Sequence, residues 1–108
     1  MLDYCKLMTP YTNCKGDNMI VYAYKHNKSY KLSDCSSTIR NLMELFSIDK
    51  TMSHKIFDIC WNHDAHIKKN EIVMLIDEDE FYIKLNEYCC MLLEIEEAFL
   101  HQESAYSQ

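Results

Sequence analysis

The sequence predicts a small domain of the α/β type, more narrowly α+β, in which a short mixed sheet carries packed helices. Two observations lead there. Residues 19–24 (Met-Ile-Val-Tyr-Ala-Tyr) and 29–32 (Ser-Tyr-Lys-Leu) flank a short polar turn, the pattern of a hairpin. After them, apolar residues recur at helical spacing in three stretches, with one extended apolar run, Ile72–Ile76, between the second and third.

The elements follow in order. Residues 1–18 contain the only proline, Pro10, and the only glycine, Gly16, show no period, and read as an N-terminal extension. From Met19, alternation puts Ile20, Tyr22 and Tyr24 on one face and Met19, Val21 and Ala23 on the other. Both faces are apolar, so the strand is expected to be central or covered on both sides. His26, Asn27 and Lys28 supply the turn, and Tyr30 and Leu32 continue the partner strand. Asp34 or Ser36 is placed to cap a first helix carrying Ile39, Leu42, Met43 and Phe46 at i, i+3, i+4 and i+7. A short strand is expected within residues 47–52, then a second helix capped by Ser53 with Ile56, Phe57, Cys60 and Trp61 on its apolar face. Residues 64–70 read as a loop, and the β-branched run 72–76 as a strand. Four carboxylates at 77–80 complement the positive end of a third helix. Its stripe is Phe81, Leu85, Tyr88, Cys89, Leu92 and Ile95, widened by Leu93, Ala98 and Phe99. The domain is therefore bounded at 19–100, with 101–108 as a C-terminal tail.

Composition narrows the function classes. At 108 residues the chain makes one modest core. A single glycine excludes glycine-rich phosphate loops and the dinucleotide fingerprint. Residues 1–70 carry ten basic and seven acidic side chains, net +3; residues 71–108 carry ten acidic side chains and only Lys84, net −9. Lysine and arginine are not massed as phosphate neutralisation demands, so nucleic acid is not an expected partner. An acidic half is repelled by anionic lipid, and no apolar run reaches the roughly 20 residues of a membrane span. Six cysteines behind an N-terminus without signal-peptide character imply free thiols in the cytoplasm or nucleus.

Three constellations resemble chemistry. Cys60, His63 and His66 have a C-x-x-H-x-x-H spacing, but on a helix these positions fan around the axis, and no CxxC knuckle completes a zinc set. Cys89 and Cys90 point about 100° apart on a helix, so one thiol packs inward and the other outward. The run 77–80 lacks the alternating ligands and central glycine of a calcium loop. No catalytic residue, metal or cofactor is assigned. The breadth of the 81–99 stripe instead points to a face for a partner helix.

The order hairpin, helix, short strand, helix, loop, strand, helix resembles the BTB/POZ superfamily, in particular its elongin C and F-box-adaptor branch in cullin ubiquitin ligases. The likeness spans residues 19–99. It is carried by residues 37–43 (Ser-Thr-Ile-Arg-Asn-Leu-Met), 52–61 (Met-Ser-His-Lys-Ile-Phe-Asp-Ile-Cys-Trp) and 76–85 (Ile-Asp-Glu-Asp-Glu-Phe-Tyr-Ile-Lys-Leu). The resemblance implies a non-enzymatic protein–protein adaptor. A pocket of Trp61, Leu75, Phe81, Leu85, Tyr88 and Leu92 would receive an apolar receptor helix. A cullin-side face would comprise Thr51, Met52, Ser53 and Asn62. The chain differs from the family in bearing Tyr88 and Cys89 where two small residues stand. Residues 64–70 are also shorter than its acidic insertion, and the sequence ends without its further C-terminal helices, which favours an elongin C-like or plain BTB-like role. The alternatives are a self-associating BTB-like homodimer, a pathogen accessory or inhibitor protein of unrelated fold, and a small metal or thiol enzyme.

Overall fold

The computed structural model describes residues 3–106, with side chains through residue 100. The chain is an α+β domain built on a five-stranded sheet of order β1-β2-β3-β5-β4. Its strands are β1 (Tyr4–Thr12), β2 (Asn18–His26), β3 (Ser29–Ser33), β4 (Ala65–Lys68) and β5 (Glu71–Asp77), and its helices are α1 (Ser37–Leu45), α2 (Lys50–Asn62) and α3 (Phe81–Tyr106). All four strand pairings are antiparallel, so the sheet is not mixed.

The expected hairpin is β2–β3, with Ala23 opposite Leu32 and Tyr24 opposite Lys31. Its two-residue loop places Asn27 in the left-handed region, φ 56°. The β4–β5 loop holds both Lys69 and Asn70 there, φ 50° and 68°, the primed turn that matches strand twist. Residues 64–70, expected as a loop, are thus a strand and a tight turn. The four residues of β4 are too few and too polar to show a period. Residues 1–18 are likewise corrected: the stretch 4–12 is an edge strand, with Leu7 opposite Val21 and Met8 opposite Ile20. Gly16 sits at φ 85° in the following turn, where the Asn13 carboxamide accepts the N–H groups of Lys15 and Asp17.

No strand forms within 47–52. Asp49, rather than Ser53, caps α2 by accepting the Met52 N–H at 2.8 Å. Before α1, Cys35 and Ser36 both adopt left-handed φ, 51° and 68°. The buried Asp34 carboxylate fixes this bend, accepting the N–H groups of Ser36 at 3.0 Å and Thr38 at 3.1 Å. It also accepts the Ile72 N–H at 3.0 Å. The β3–β5 pairing ends at Ser33 opposite Val73, so the carboxylate takes over where the backbone ladder stops.

The helices cover one face of the sheet. Met19, Val21, Ala23, Leu32, Ile72, Met74 and Ile76 are buried there beneath Leu42, Ile56, Ile59, Tyr88, Met91, Leu92, Ile95 and Phe99. The helix α3 extends past residue 100, so no separate tail begins there. On the outer face, β2 alternates to half-exposed Ile20, Tyr22 and Tyr24. β2 is internal to the sheet as expected, yet covered on one face only. No helix among the described residues is long and apolar enough to cross a membrane.

Candidate functional site

The six residues expected to form one receptor pocket do not share a surface. Tyr88 and Leu92 are fully buried in the core. The Tyr88 hydroxyl donates to the Ile72 carbonyl, which uses it to tie α3 to β5. Leu85 is half-buried against the same core. Phe81 packs edge-on against Tyr30 with ring centroids 4.8 Å apart. Leu75 is exposed on the outer sheet face, while Trp61 is exposed on α2 among the helices. The breadth of the α3 stripe reflects a helix seated centrally on the sheet, whose flanks are closed by its own neighbours. Of the four cullin-side positions, Thr51, Ser53 and Asn62 are exposed, whereas Met52 is buried because the α2 N-terminus turns it inward.

An apolar concavity lies between α1, α2 and the edge strand β4, away from Tyr88 and Leu92. Ile39 and Met43 from α1, Ile48, Ile56 and Phe57 from α2 and its approach, and Ile67 from β4 line a groove of about 500 Å³. Ser53 and Asn70 stand at its rim. Phe57 and Ile67 also line a smaller adjoining depression of about 110 Å³ reaching Trp61, Ala65 and His66. One apolar channel therefore runs from Met43 to Trp61. Its most accessible members are large: Met43 is 57% exposed, Phe57 56% and Trp61 68%. Phe57 and Trp61 are one helical turn apart and stack at 6.3 Å with an 18° interplanar angle. A stacked aromatic pair held by a helix presents apolar area at little entropic cost, the property that makes Trp and Tyr binding anchors. The sequence placed Phe57 and Trp61 on the helix's apolar face. The flanking Met43 and Ile67 signalled the groove only once β4 was known to be a strand.

The cysteines and histidines singled out by spacing do not converge on one point. Cys60 is buried, His66 points from β4, and His63 caps the end of α2, so the C-x-x-H-x-x-H residues diverge. Among the described residues no group of three or more potential ligands is gathered for a metal. Burial pushes the thiols of Cys60 and Cys89 up to about 11, and burial together with the Glu96 carboxylate does the same for Cys14. These three sulfurs are protonated at neutral pH and poor nucleophiles. All six cysteines are free. His101 lies outside the side chains described.

His63 instead bridges α2 to α3, with Nδ1 3.1 Å from Glu87 and Nε2 3.1 Å from Glu94. Partial burial opposes protonation of His63, but the hydrogen bonds and charges of the two carboxylates outweigh it and raise its pKa above 6.5. Glu87 is lowered below 4.5, chiefly by His63 and then by Lys84. A raised histidine contributes stability below its unfolded pKa and loses it as pH climbs through the folded one. A lowered carboxylate loses its contribution as pH falls. The bridge is thus strongest between about pH 4.5 and 6.5, and thermal unfolding across pH should show a maximum there that His63→Gln flattens. The groups are partly exposed, so the expected change is a few degrees in Tm.

Comparison with known proteins adds one match. No curated protein and no solved structure matches the chain. A family model does match residues 9–95, from within β1 to the middle of α3, and by it the chain belongs to the family described as domain of unknown function DUF1828.

Proposed function

We propose that the domain is a non-catalytic adaptor that receives an apolar helix of a partner protein in the channel between α1, α2 and β4. The observation carrying this reading is the stacked, solvent-exposed Phe57–Trp61 pair continuous with an apolar groove. Leaving two large rings in water is costly unless something covers them, and helix-in-groove recognition needs such anchors. The BTB/POZ resemblance names one partner class, a ubiquitin-ligase receptor helix with a cullin beside it. Exposed Thr51, Ser53 and Asn62 lie on the same helix as the anchors and would meet the cullin. Free thiols fit a reducing compartment, cytoplasmic or nuclear.

Trp61 is the only tryptophan, so its fluorescence reports directly on the groove. Partners captured on the intact chain and identified by mass spectrometry are titrated back against it. Docking should shift the emission to the blue, and the Phe57→Ala/Trp61→Ala variant should lose binding by about 30-fold or more, the cost of at least 2 kcal/mol at a hot spot. Its unfolding midpoint should stay within about 0.5 kcal/mol, because both side chains are exposed. Undiminished capture by the double variant would refute the reading. A blue shift that grows with protein concentration alone, with a dimer by light scattering, would make a second copy the occupant in place of a receptor.

A further inference from the structure

The outer sheet face carries a second surface. Lys31 of β3, His66 and Lys68 of β4, Lys69 of the β4–β5 turn, and Val73 and Leu75 of β5 line a concavity of about 500 Å³ on the side away from the helices. Strand register brings them together: Lys31 lies opposite Leu75, Val73 opposite His66, and Lys68 opposite Glu71. The floor is aliphatic, with Leu75 67% exposed. The rim is cationic. Among the described residues none of Lys31, Lys68 and Lys69 forms an ion pair. Glu71, the one carboxylate in the wall, is held by the Ser33 hydroxyl. In a chain of net charge −6, three ammonium groups without a carboxylate partner among the described residues, set around one apolar floor, define a patch with the opposite sign to the molecule as a whole.

We propose that this concavity binds an acidic amphipathic segment of a partner protein. Carboxylates of the segment meet Lys31, Lys68 and Lys69, and its apolar side chains cover Val73 and Leu75. The inference stands independently of the helix-side groove, and if both hold, the domain links two partners across its sheet. Charge complementarity selects an acidic occupant, and the floor selects protein over nucleic acid. Bases need open aromatic faces to stack on. Here the nearest rings are engaged, Tyr24 lying under the Lys31 ammonium at 4.8 Å and against Tyr4 at 5.6 Å.

The test is fluorescence anisotropy on the full chain with three labelled probes. They are a short helical peptide with leucine on one face and glutamate flanking it, the same peptide with lysine for every glutamate, and an oligothymidylate of similar length. The glutamate peptide should bind, the lysine peptide should not, and added salt should weaken the complex. Lys31→Glu/Lys68→Glu should weaken it by about tenfold or more, with Phe57→Ala/Trp61→Ala unaffected. If the charge-reversed chain fails to fold, Lys31→Gln/Lys68→Gln gives the same reading with a smaller loss. Three results overturn the proposal: oligothymidylate binding more tightly than the glutamate peptide, no binding of that peptide, or binding lost with the groove variant but not with the lysine variants. The last would place the peptide in the helix-side channel and leave the adaptor reading intact.

Discussion

Asp34→Ala should cost the domain about 3–6 kcal/mol, enough to leave it largely unfolded at ambient temperature. The side chain is 1% exposed and accepts three backbone N–H groups, from Ser36, Thr38 and Ile72. Alanine removes both acceptor oxygens and with them all three hydrogen bonds, and each buried donor left without a partner costs about 1–3 kcal/mol. The bend through Cys35 and Ser36 makes the loss worse, since both hold left-handed φ that non-glycine residues avoid. Asp34→Asn is the informative control. Its carbonyl oxygen can still serve Ser36 and Ile72, both of which use Oδ1, while the amide confronts the Thr38 N–H. Urea unfolding should therefore rank wild type above Asn and Asn well above Ala. Equal losses for the two variants would mean the carboxylate's charge, and not its acceptor geometry, holds the bend. Burial raises the Asp34 pKa against the opposing pull of its N–H donors. A raised carboxylate binds its proton more tightly folded than unfolded. Its contribution to stability consequently falls as pH rises from the unfolded value near 4 to the folded one, and is flat above that.

Tyr88→Ala is expected to destabilise by about 3–5 kcal/mol through the cavity left by a fully buried ring. Tyr88→Phe isolates the hydroxyl. It keeps the packing but strips the Ile72 carbonyl of its donor, for a loss of about 1–3 kcal/mol. Ile72 is thus held at both backbone groups by side chains, its N–H by Asp34 and its carbonyl by Tyr88. Because the two substitutions act on one residue, their effects should not add, and a double-mutant cycle of Asp34→Asn with Tyr88→Phe should show coupling of about 0.5 kcal/mol or more. Strict additivity would show that the two anchors work separately.

Much of the core was legible in the residues themselves. The alternation at 19–24 and the helical spacing of Ile39 and Leu42, Ile56 and Cys60, and Tyr88, Leu92, Ile95 and Phe99 name side chains that the fold buries. Period reveals burial because one face of each element must leave water. Period says nothing about an element too short to repeat, which hides the four-residue β4. Nor does it mark an edge strand whose outer row is mixed, which hides β1 although Leu7 and Thr9 face inward.

The sites were less legible. A broad apolar helix looks the same from sequence whether its second edge meets a partner or its own sheet. α3 proved to be the latter, which removed Tyr88 and Leu92 from any binding surface. The cationic concavity was invisible for a related reason. Lys31 lies far along the chain from Lys68 and Lys69, and only the β3–β5–β4 register sets their charges around one floor. The sequence alone determined the α+β class, the hairpin, the three helices and most of the buried set, since these follow from local periodicity. Which apolar and charged residues share a surface was decided only by the tertiary structure, because adjacency across strands and between helices depends on pairing and packing over long sequence separations.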